Sequence, residues 1–562
     1  LDAVVFYDKP LLKFERLLET YYAFAPKGLR QFIISIPVWL KEKMFLKKML
    51  HEGLADIEKY DKKKLKLLFP EHHLSHAASA FYSSPFEEAA ILTIDGVGEW
   101  ATATICHGKG NKITLLKEMR FPHSVGLLYS AFTYYLGFKV NSGEYKLMGL
   151  APYGNPEAED THHYIKLIKD NIVSIKDDGS IWLNQKYFNY ATGLKMINEA
   201  QWEKLFGFPA VKPDGNIEQK HCNVAYAIQK VTEEIVIKMA KEAKRITGTD
   251  SLCMAGGVAL NCVANGKLLK EGIFENIFIQ PAAGDAGGAL GAAQAAYYMF
   301  FDQQRNKVSP NPDAMIGTYL GPAFSDQELE ISFKKHKANY NKIESFGDLC
   351  TAVADLLDKG NVVGWFQGRM EFGPRALGNR SILGDARNKE MQKKLNLKIK
   401  YREGFRPFAP SVLIENSKEF FDLQVASPYM LLIADVNKER RNTLPENYND
   451  LDLWEKLYYE RSDVQSITHL DFSARVQTVH QETNPRYWQL INTFKEKTGY
   501  GIIVNTSFNV RGEPVVCTPE DAYKCFMRTE MDYLVVNNFL LAKTEQPDWE
   551  NREKWMVKFN LD

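Results

Sequence analysis

Short apolar runs, each followed by a turn rich in glycine and then by a helical pattern, recur along this chain. Two of them are Ser251 to Met254, which precedes Gly256 and Gly257, and Ile277 to Gln280, which precedes the segment GDAGG. A third, Val362 to Phe366, leads into another loop rich in glycine. A continuous apolar run of this length is typical of a strand that is buried on both faces of a sheet covered by helices. We therefore predict an α/β fold.

Length and one change of composition divide the chain. Its 562 residues exceed what one hydrophobic core holds, because domains have roughly 100–200 residues. Between Asp302 and Pro322 the sequence becomes polar and carries three prolines, which predicts a linker. We place the two domains at residues 1–312 and 313–562. Residues 11–70 are predicted to be amphipathic helices, and residues 155–215 an insertion.

Charge and cysteine usage exclude several classes of protein. Lysine plus arginine and aspartate plus glutamate both number 70, so the chain lacks the positive field of most nucleic-acid-binding proteins. The seven cysteines form no C-x-x-C pair, which argues against a thiolate zinc site or a disulfide framework and favours a reducing, cytoplasmic compartment. The longest apolar run near the start, Phe32 to Leu40, is about half a membrane span, so no membrane partner is expected.

Two histidines and two aspartates form the first candidate site. His72 and His76 stand four residues apart in a predicted helix and share one face, a spacing that lets two imidazoles bind one metal ion. Asp95 ends a buried strand, where a carboxylate needs a cation or turn amides, and Asp285 stands between a strand and a helix start. Two nitrogen and two oxygen ligands suit Fe(II), Mn(II) or Zn(II). The alternatives are a pair of solvated or core histidines and a helix N-cap at Asp285.

Glycine pairs next to these strands are candidate phosphate contacts. Gly256-Gly257 follows a strand, and Gly287-Gly288 precedes a helix. At both places backbone N–H groups can approach a phosphate. A generic turn is the alternative interpretation of either pair.

The second candidate site lies in the C-terminal half, where arginines alternate with glycines. The segment GRMEFGPRALGNRS contains Arg375 among its three arginines, and KIKYREGFRPFAP adds Lys400 and Arg406. Arg475 and Ser507 are predicted at the ends of further strands. Guanidinium groups donate paired hydrogen bonds to an anion, and glycine lets backbone amides approach it, so the pattern indicates an anion pocket. A merely soluble surface fits less well beside Gly, Pro and Phe, and an RNA surface would need a wider basic stripe.

Five segments together resemble a known family: HHLSHAASAF, LTIDGVGEW, SGEYKLMGLAPYG, AGGVALNCVANGKL and GDAGGALGAA. They resemble the nodulation-type and tobramycin-type O-carbamoyltransferases. The resemblance implies an N-terminal actin/sugar-kinase-like domain, a duplicated ribonuclease H-like arrangement, and a C-terminal YrdC-like α/β domain. It also implies a metal, usually iron, bound by the two histidines and two aspartates, and a nucleotide site that includes Gly126, Gly256, Gly257 and Asn261. Family members begin with a short hairpin before the strand at Leu1, and that hairpin is expected to be missing here.

The resemblance also implies a reaction for each half. In the C-terminal half, Arg375, Lys400 and Arg406 would neutralise charge while carbamoyl phosphate and ATP form carbamoyl-adenylate, with Arg475 and Ser507 as further nucleotide contacts. The N-terminal metal site would then transfer the carbamoyl group to a hydroxyl of a small sugar-like or antibiotic-like acceptor. The expected cofactors are Fe(II), or another divalent metal, and ATP with Mg.

Two other functions are alternatives to this one. They are a tRNA threonylcarbamoyl-type modifying enzyme and a non-catalytic, nucleotide-switched actin-like protein. The neutral net charge favours a small-molecule acceptor over a nucleic acid. The sequence leaves the acceptor, the metal and any oligomer open.

Overall fold

A computed structural model describes residues 1–42, 45–305, 313–402, 404–448 and 451–547. The chain divides into two compact units, Leu1–Ala314 and Met315–Asp562. Part of the predicted linker, residues 306–312, lies outside the described residues. Both units combine helices with β-sheet, which confirms the α/β class. Within the described ranges, no helix has the length and apolar character that crossing a membrane requires.

The N-terminal unit is built from short strands and mostly short helices. Its described strands are β1 (Ala3–Val5), β2 (Lys66–Leu68), β3 (Glu88–Ile94), β4 (Ala101–Lys109), β5 (Lys112–Arg120), β6 (Val173–Ile175), β7 (Ile181–Leu183), β8 (Ser251–Ala255) and β9 (Asn276–Ile279). Its described helices are α1 (Pro10–Phe24), α2 (Leu29–Glu42), α3 (Leu46–Ile57), α4 (His72–Phe81), α5 (Val125–Tyr135), α6 (Glu144–Leu150), α7 (Glu159–Leu167), α8 (Glu199–Phe206), α9 (Gln219–Thr247), α10 (Cys262–Lys270) and α11 (Asp285–Ala295).

The main sheet of this unit has the strand order β5-β4-β3-β8-β9. Strands β3, β4 and β5 are antiparallel, whereas β3, β8 and β9 are parallel. The predicted hairpin is therefore confirmed, with Ile91 opposite Cys106. Helices α4 and α9 pack on β3. This packing explains why β3 is buried continuously from Ala89 to Ile94 instead of alternating between buried and exposed residues.

A separate parallel pair, β1 and β2, brackets the helices α1 to α3. Ala3 lies opposite Lys66 in this pair. Among the described residues of this unit, the five-stranded sheet has no second copy of similar size. The expected duplicated arrangement stays a prediction.

Helices α4 and α11 approach each other closely, and glycine makes this possible. A Cβ atom on Gly291 would lie 1.8 Å from the carbonyl oxygen of Ser75. No side chain fits in that space, so the backbones of the two helices touch. This contact brings the first residue of α11 beside the first turn of α4.

The C-terminal unit is also a mixed α/β structure. Its described strands are β10 (Asn341–Lys342), β11 (Val363–Phe366), β12 (Arg380–Gly384), β13 (Ala409–Leu413), β14 (Phe421–Asp422), β15 (Leu432–Val436), β16 (Ser473–Val479), β17 (Ile502–Ser507), β18 (Tyr533–Val536) and β19 (Phe539–Ala542). Its described helices are α12 (Asp326–Lys335), α13 (Phe346–Asp358), α14 (Met391–Lys394), α15 (Ser417–Phe420), α16 (Leu453–Tyr458), α17 (Pro485–Thr498) and α18 (Pro519–Arg528).

These strands form one sheet in the order β10-β19-β18-β11-β12-β17-β13-β16-β15-β14. Helices α13 and α17 pack together, and their buried side chains share a core with the sheet that includes Trp365, Leu383 and Ile503. Along β17 the same face becomes polar beyond Ile503, because Asn505 and Ser507 follow at alternate positions. The sheet therefore has an apolar part under the helices and a polar part beyond them.

We expect Gly291→Ala to destabilise the N-terminal unit by about 2 kcal/mol or more, because the new methyl group must push α4 and α11 apart. Gly53→Ala is the matched control, since Gly53 also lies in a helix and a Cβ atom there has no neighbour within 4 Å. That change should stabilise by about 0.5–1 kcal/mol through helix propensity alone. Calorimetric melting of both variants measures the difference. Equal melting temperatures would show that the helices do not touch at Gly291.

Candidate functional site

The four predicted metal ligands converge at one end of the N-terminal sheet. His72 and His76 lie in the first turns of α4, Asp95 follows β3 directly, and Asp285 is the first residue of α11. One nitrogen or carboxylate oxygen from each residue lies within 4.8 Å of those of the other three. Three separate elements thus supply a compact set of two imidazoles and two carboxylates.

The distances within this cluster are those of a small coordination shell. Nε2 of His72 lies 3.1 Å from Nε2 of His76 and 3.0 Å from Oδ2 of Asp95. Oδ1 of Asp285 is 3.6 Å from Nε2 of His72 and 3.8 Å from Nε2 of His76. Both imidazoles are buried, whereas the Asp285 side chain is 61% exposed. The cluster is therefore closed on the histidine side and open at Asp285.

Asp95 is held in its charged form. Burial raises the pKa of Asp95, but hydrogen bonds from His72 and His76 outweigh it, and the pKa lies well below the ordinary value. Its other oxygen, Oδ1, accepts the backbone N–H of Gly257 at 2.9 Å. One oxygen is thus fixed by the backbone while the other faces the imidazoles.

The donor set of this cluster fits a divalent cation. The Nε2 atoms of His72 and His76 face each other, and only one proton can lie between them. Each Nε2 atom also faces a carboxylate, so hydrogen bonds alone satisfy this arrangement poorly. A cation would bind all four groups at once, and this mixture of nitrogen and oxygen suits Fe(II), Mn(II) or Zn(II). The Nδ1 atoms of both histidines are buried without a hydrogen-bond partner, so packing, including the Tyr7 ring 5.6 Å from the His72 ring, holds their orientation.

Two residues of this site escaped the sequence analysis. The buried carboxylate of Glu99 accepts the backbone N–H of His72 at 3.1 Å and that of Lys9 at 2.7 Å, so it fixes the first residue of α4 and the residue before α1. Tyr7 lies beside the cluster, and burial, followed by the charge of Asp285, raises the pKa of its hydroxyl to about 12. Glu99 stands in the DGVGEW motif that was singled out, but nothing in the spacing indicated what it binds.

The predicted nucleotide-binding glycines surround the end of β3. A Cβ atom on Gly126, at the start of α5, would lie 2.6 Å from the carbonyl oxygen of Asp95. Gly256 has a φ of +92°, and a Cβ atom there would lie 2.3 Å from the carbonyl oxygen of Ile94. Close packing around the end of β3, next to Asp95, therefore requires both glycines, whatever ligand lies next to them.

Asn261 is engaged in the structure of the protein itself. Its side-chain oxygen accepts the backbone N–H of Ala264 and so caps α10. The same side chain exchanges hydrogen bonds with Gln229 on α9. Nucleotide binding by Asn261 remains a prediction, and its visible role is that of an N-cap.

Two of the three arginines in the C-terminal loop donate hydrogen bonds to backbone carbonyl oxygens. Arg380 is buried, donates to the carbonyl oxygens of Gln367 and Pro322, and stacks 3.5 Å above the Phe366 ring. Arg369 donates to the backbone carbonyl oxygens of Leu320 and Gly321. Of the loop arginines, Arg375 remains the candidate for an anion.

The loop around Arg375 is organised by a buried carboxylate that the sequence analysis missed. Oε1 of Glu371 accepts the backbone N–H groups of Leu377 at 2.7 Å, Asn379 at 2.9 Å and Arg380 at 3.3 Å. Three amides on one carboxylate oxygen define the path of the chain immediately after Arg375. A lone glutamate among glycines and arginines carries no signal of such a role.

Side chains of the sheet fix the same loop from below. Nδ2 of Asn505 donates to the carbonyl oxygen of Ala376 at 3.1 Å, and Nε2 of Gln477 donates to that of Leu377 at 2.8 Å. Ser507 and Arg475 lie two residues from these donors on β17 and β16, on the same faces of their strands. Arg475 lies inside β16, not at its end as predicted. The structure thus brings the Arg375 loop above the strands that carry Ser507 and Arg475.

Lys400 reaches the same region from the end of a π-helical turn, Leu395–Lys400. The buried Nζ of Lys400 donates to the carbonyl oxygen of Ser507, and to the carbonyl oxygen and Oδ1 of Asn509, both at 2.9 Å. Such π-turns often mark functional sites, because they displace one residue from the regular helical position.

The cationic groups near Lys400 affect one another. Burial, followed by the charges of Arg402 and Arg406, lowers the pKa of Lys400 well below its ordinary value. Its hydrogen bonds to Ser507 and Asn509 go to uncharged oxygens. A buried lysine close to two arginines favours an anionic ligand, which would offset the repulsion among these cations.

We expect Glu371→Ala to cost about 2–4 kcal/mol of stability, because three buried N–H groups lose their acceptor. Glu371→Gln keeps an acceptor oxygen and should cost less. Glu482→Ala, which removes an exposed carboxylate of the same unit, is the control and should leave stability within ~0.5 kcal/mol. The melting transition of the C-terminal unit measures all three. A loss for Glu371→Ala no larger than for the control would contradict this account of the loop.

Comparison with known proteins gives a family that covers both units. The model of the carbamoyltransferase N-terminus matches residues 1–294, and that of the carbamoyltransferase C-terminus matches residues 354–543. The chain is 57% identical over 564 residues to the uncharacterised protein sll1178 of Synechocystis, with 100% of this chain and 90% of the relative aligned.

Two relatives have more informative names. Nodulation protein NolO of Bradyrhizobium diazoefficiens is 37% identical, over 85% of this chain and 80% of its own length. The 3'-hydroxymethylcephem-O-carbamoyltransferase of Streptomyces clavuligerus is 30% identical, over 58% of this chain and 55% of its own length. With both halves matched by family models, and a relative aligned along nearly its whole length, this chain belongs to the carbamoyltransferase family and is an enzyme of that family.

Proposed function

We propose that this enzyme is an ATP-dependent O-carbamoyltransferase that works in two half-reactions. The observation that carries the proposal is the convergence of His72, His76, Asp95 and Asp285 on one small volume in the N-terminal unit. A second, cationic site in the other unit supports a separate activation step. The name of the Streptomyces clavuligerus relative, which specifies transfer to an oxygen, supports a hydroxyl as the acceptor.

The strand arrangement supports the finer fold assignment. Three antiparallel strands followed by two strands parallel to the first, in the order β5-β4-β3-β8-β9, are the pattern of a ribonuclease H-like sheet. We therefore propose an actin-like N-terminal domain. For the mixed sheet of the C-terminal unit we propose a YrdC-like domain.

In the proposed activation step, water first cleaves carbamoyl phosphate to carbamate and phosphate. An oxygen of carbamate then attacks the α-phosphorus of ATP, the bond to the β-phosphate oxygen breaks, and pyrophosphate leaves carbamoyl-adenylate behind. Two anions must meet in this step, so positioned cations lower its barrier. Arg375, Lys400 and Arg406 are the residues we assign to that task. Arg475 and Ser507 are further contacts for the nucleotide.

In the proposed transfer step, the acceptor hydroxyl oxygen attacks the carbamoyl carbon, and the bond from that carbon to the phosphate oxygen breaks. AMP leaves, and the hydroxyl proton passes to solvent. A divalent metal such as Fe(II), when bound by the two histidines and two aspartates, would supply positive charge for the phosphate oxygens. The protein's own part is to fix the ligands, since Gly257 holds Asp95 and Glu99 holds the first residue of α4.

The two half-reactions should be separable by mutation. We expect Arg375→Ala to lower pyrophosphate release from ATP and carbamoyl phosphate by about 100-fold or more, because one electrostatic stabiliser is lost. His76→Ala should leave pyrophosphate release near the wild-type rate but abolish carbamoylation of an acceptor. Arg120→Ala, which removes an exposed arginine, is the control. Native pyrophosphate release from Arg375→Ala would place activation elsewhere.

The metal site has a test that does not depend on turnover. We expect His76→Ala to lower the metal-to-protein ratio of the purified chain about tenfold or more, since it removes one of four ligands. His107→Ala is the matched control, because His107 lies on β4, outside the cluster, and pairs with Glu88 of β3. Elemental analysis of the three proteins gives the ratios. An unchanged ratio in His76→Ala would rule this histidine out as a ligand, even if carbamoyl transfer failed.

A further inference from the structure

Helix α2 has apolar side chains on two opposite sides. Its inner side packs on α1. The Phe32 ring lies 5.3 Å from the Tyr21 ring of α1, and the Trp39 ring lies 6.4 Å from the Phe14 ring of α1. The outer side of α2 is exposed, yet it is apolar as well. A surface helix normally presents polar residues to water, so this helix has one apolar side more than its packing uses.

The outer apolar side, which we call the α2 face, consists of Ile33, Ile34 and Val38. These side chains are 62%, 51% and 50% exposed. Residues spaced by three or four positions lie on one side of a helix, and Arg30, Ile34, Val38 and Lys41 follow one another at such spacings. Ile33 and the exposed Pro37, which are four residues apart, lie next to this row. The α2 face is therefore an apolar stripe with a cation at each end. Contiguous exposed apolar residues of this kind mark an interaction surface.

The charge around the α2 face differs from that of the whole chain. Residues 25–48 contain six lysines and arginines and one glutamate, whereas the chain as a whole has a formal net charge of zero. Positive charge is thus concentrated on the segment that exposes the apolar stripe. Apolar residues on one side, with lysine and arginine beside them, are the composition of a helix that lies in the interface of an anionic membrane.

We propose that the α2 face docks on the surface of a lipid bilayer that contains anionic lipids. The helix has 14 residues and is about 21 Å long, so it is too short to cross a hydrocarbon core of about 30 Å. Cations at both ends also require both ends to stay with the headgroups, so the helix lies along the surface. A second copy of the chain is a poorer occupant, because a symmetric pair of α2 faces would bring cations together.

The docked helix would be connected to the metal-binding cluster through α1. The carboxylate of Glu99 accepts the backbone N–H of Lys9, next to the first residue of α1, and also that of His72. About two turns later, Nη1 of Arg16 donates to the carbonyl oxygen of Gly98 at 2.7 Å. Docking through α2 would therefore restrain α1 and, through Glu99, the first residue of the cluster. The proposal departs from the expectation of no membrane partner, which rested on the lack of a spanning segment.

The test is co-sedimentation of the full chain with vesicles of phosphatidylcholine, with and without phosphatidylglycerol. We expect binding to the vesicles with phosphatidylglycerol, and weaker binding at high salt, because salt screens the cations. The triple variant Ile33→Gln, Ile34→Gln, Val38→Gln should lower the bound fraction about tenfold or more, because binding scales with the buried apolar area. The double variant Arg30→Gln, Lys41→Gln should lose the preference for anionic vesicles.

Leu194→Gln is the matched control, since Leu194 is an equally apolar residue of the same unit with 79% exposure. It should bind vesicles like the wild type, and all variants should keep the wild-type melting temperature. Failure of the wild type to sediment with the anionic vesicles would overturn the proposal, as would unchanged binding of the triple variant. A wild-type dimer that the triple variant converts to a monomer would assign the α2 face to a second copy instead. None of these results depends on carbamoyl transfer, so the proposed function is tested separately.

Discussion

The backbone contact between α4 and α11 is the constraint on which the N-terminal site depends. At Gly291 the two helices approach so closely that a Cβ atom would lie 1.8 Å from Ser75. On α4 the contact lies less than two helical turns from His72, the first residue of that helix. On α11 it lies less than two turns from Asp285, the first residue there. Because the helices cannot separate there without losing buried contact, the spacing between imidazoles and carboxylate is set by packing. A metal ion would therefore enter a site whose ligands already lie close together.

Backbone amides complete this organisation in both units. In the N-terminal unit, Gly257 donates its N–H to Asp95, and Glu99 accepts the N–H of His72. In the C-terminal unit, the carboxylate of Glu371 accepts hydrogen bonds from three backbone N–H groups of the loop that carries Arg375. A buried carboxylate is costly unless such donors satisfy it, so each of these carboxylates ties its loop to one conformation. In both units, groups that do not touch a ligand determine where the candidate binding groups lie.

Local pattern was enough to predict part of this structure. The helical spacing of His72 and His76, and the apolar run that ends at Asp95, indicated correctly which side chains would lie together. Pattern failed where the partner is distant in the chain. Arg369 and Arg380 have the same type and setting as Arg375, yet they bind carbonyl oxygens of the protein, which only the folded path of the loop decides. Glu99 and Glu371 were missed for the same reason, because a carboxylate that accepts backbone N–H groups resembles a solvated one in sequence.

Glu99 links the start of α1 to the cluster of His72, His76, Asp95 and Asp285. Its Oε1 accepts the backbone N–H of Lys9 at 2.7 Å, and both of its carboxylate oxygens lie within 3.2 Å of the backbone nitrogen of His72. The start of α1 therefore cannot move away without disturbing His72, the first residue of α4 and a proposed metal ligand. Helix α2 packs on α1 through aromatic rings, so a membrane that holds α2 also restrains α1. Docking at the surface and the order of the ligand cluster are consequently expected to stabilise each other, because a state bound at one site has lost the freedom that binding at the other would otherwise cost.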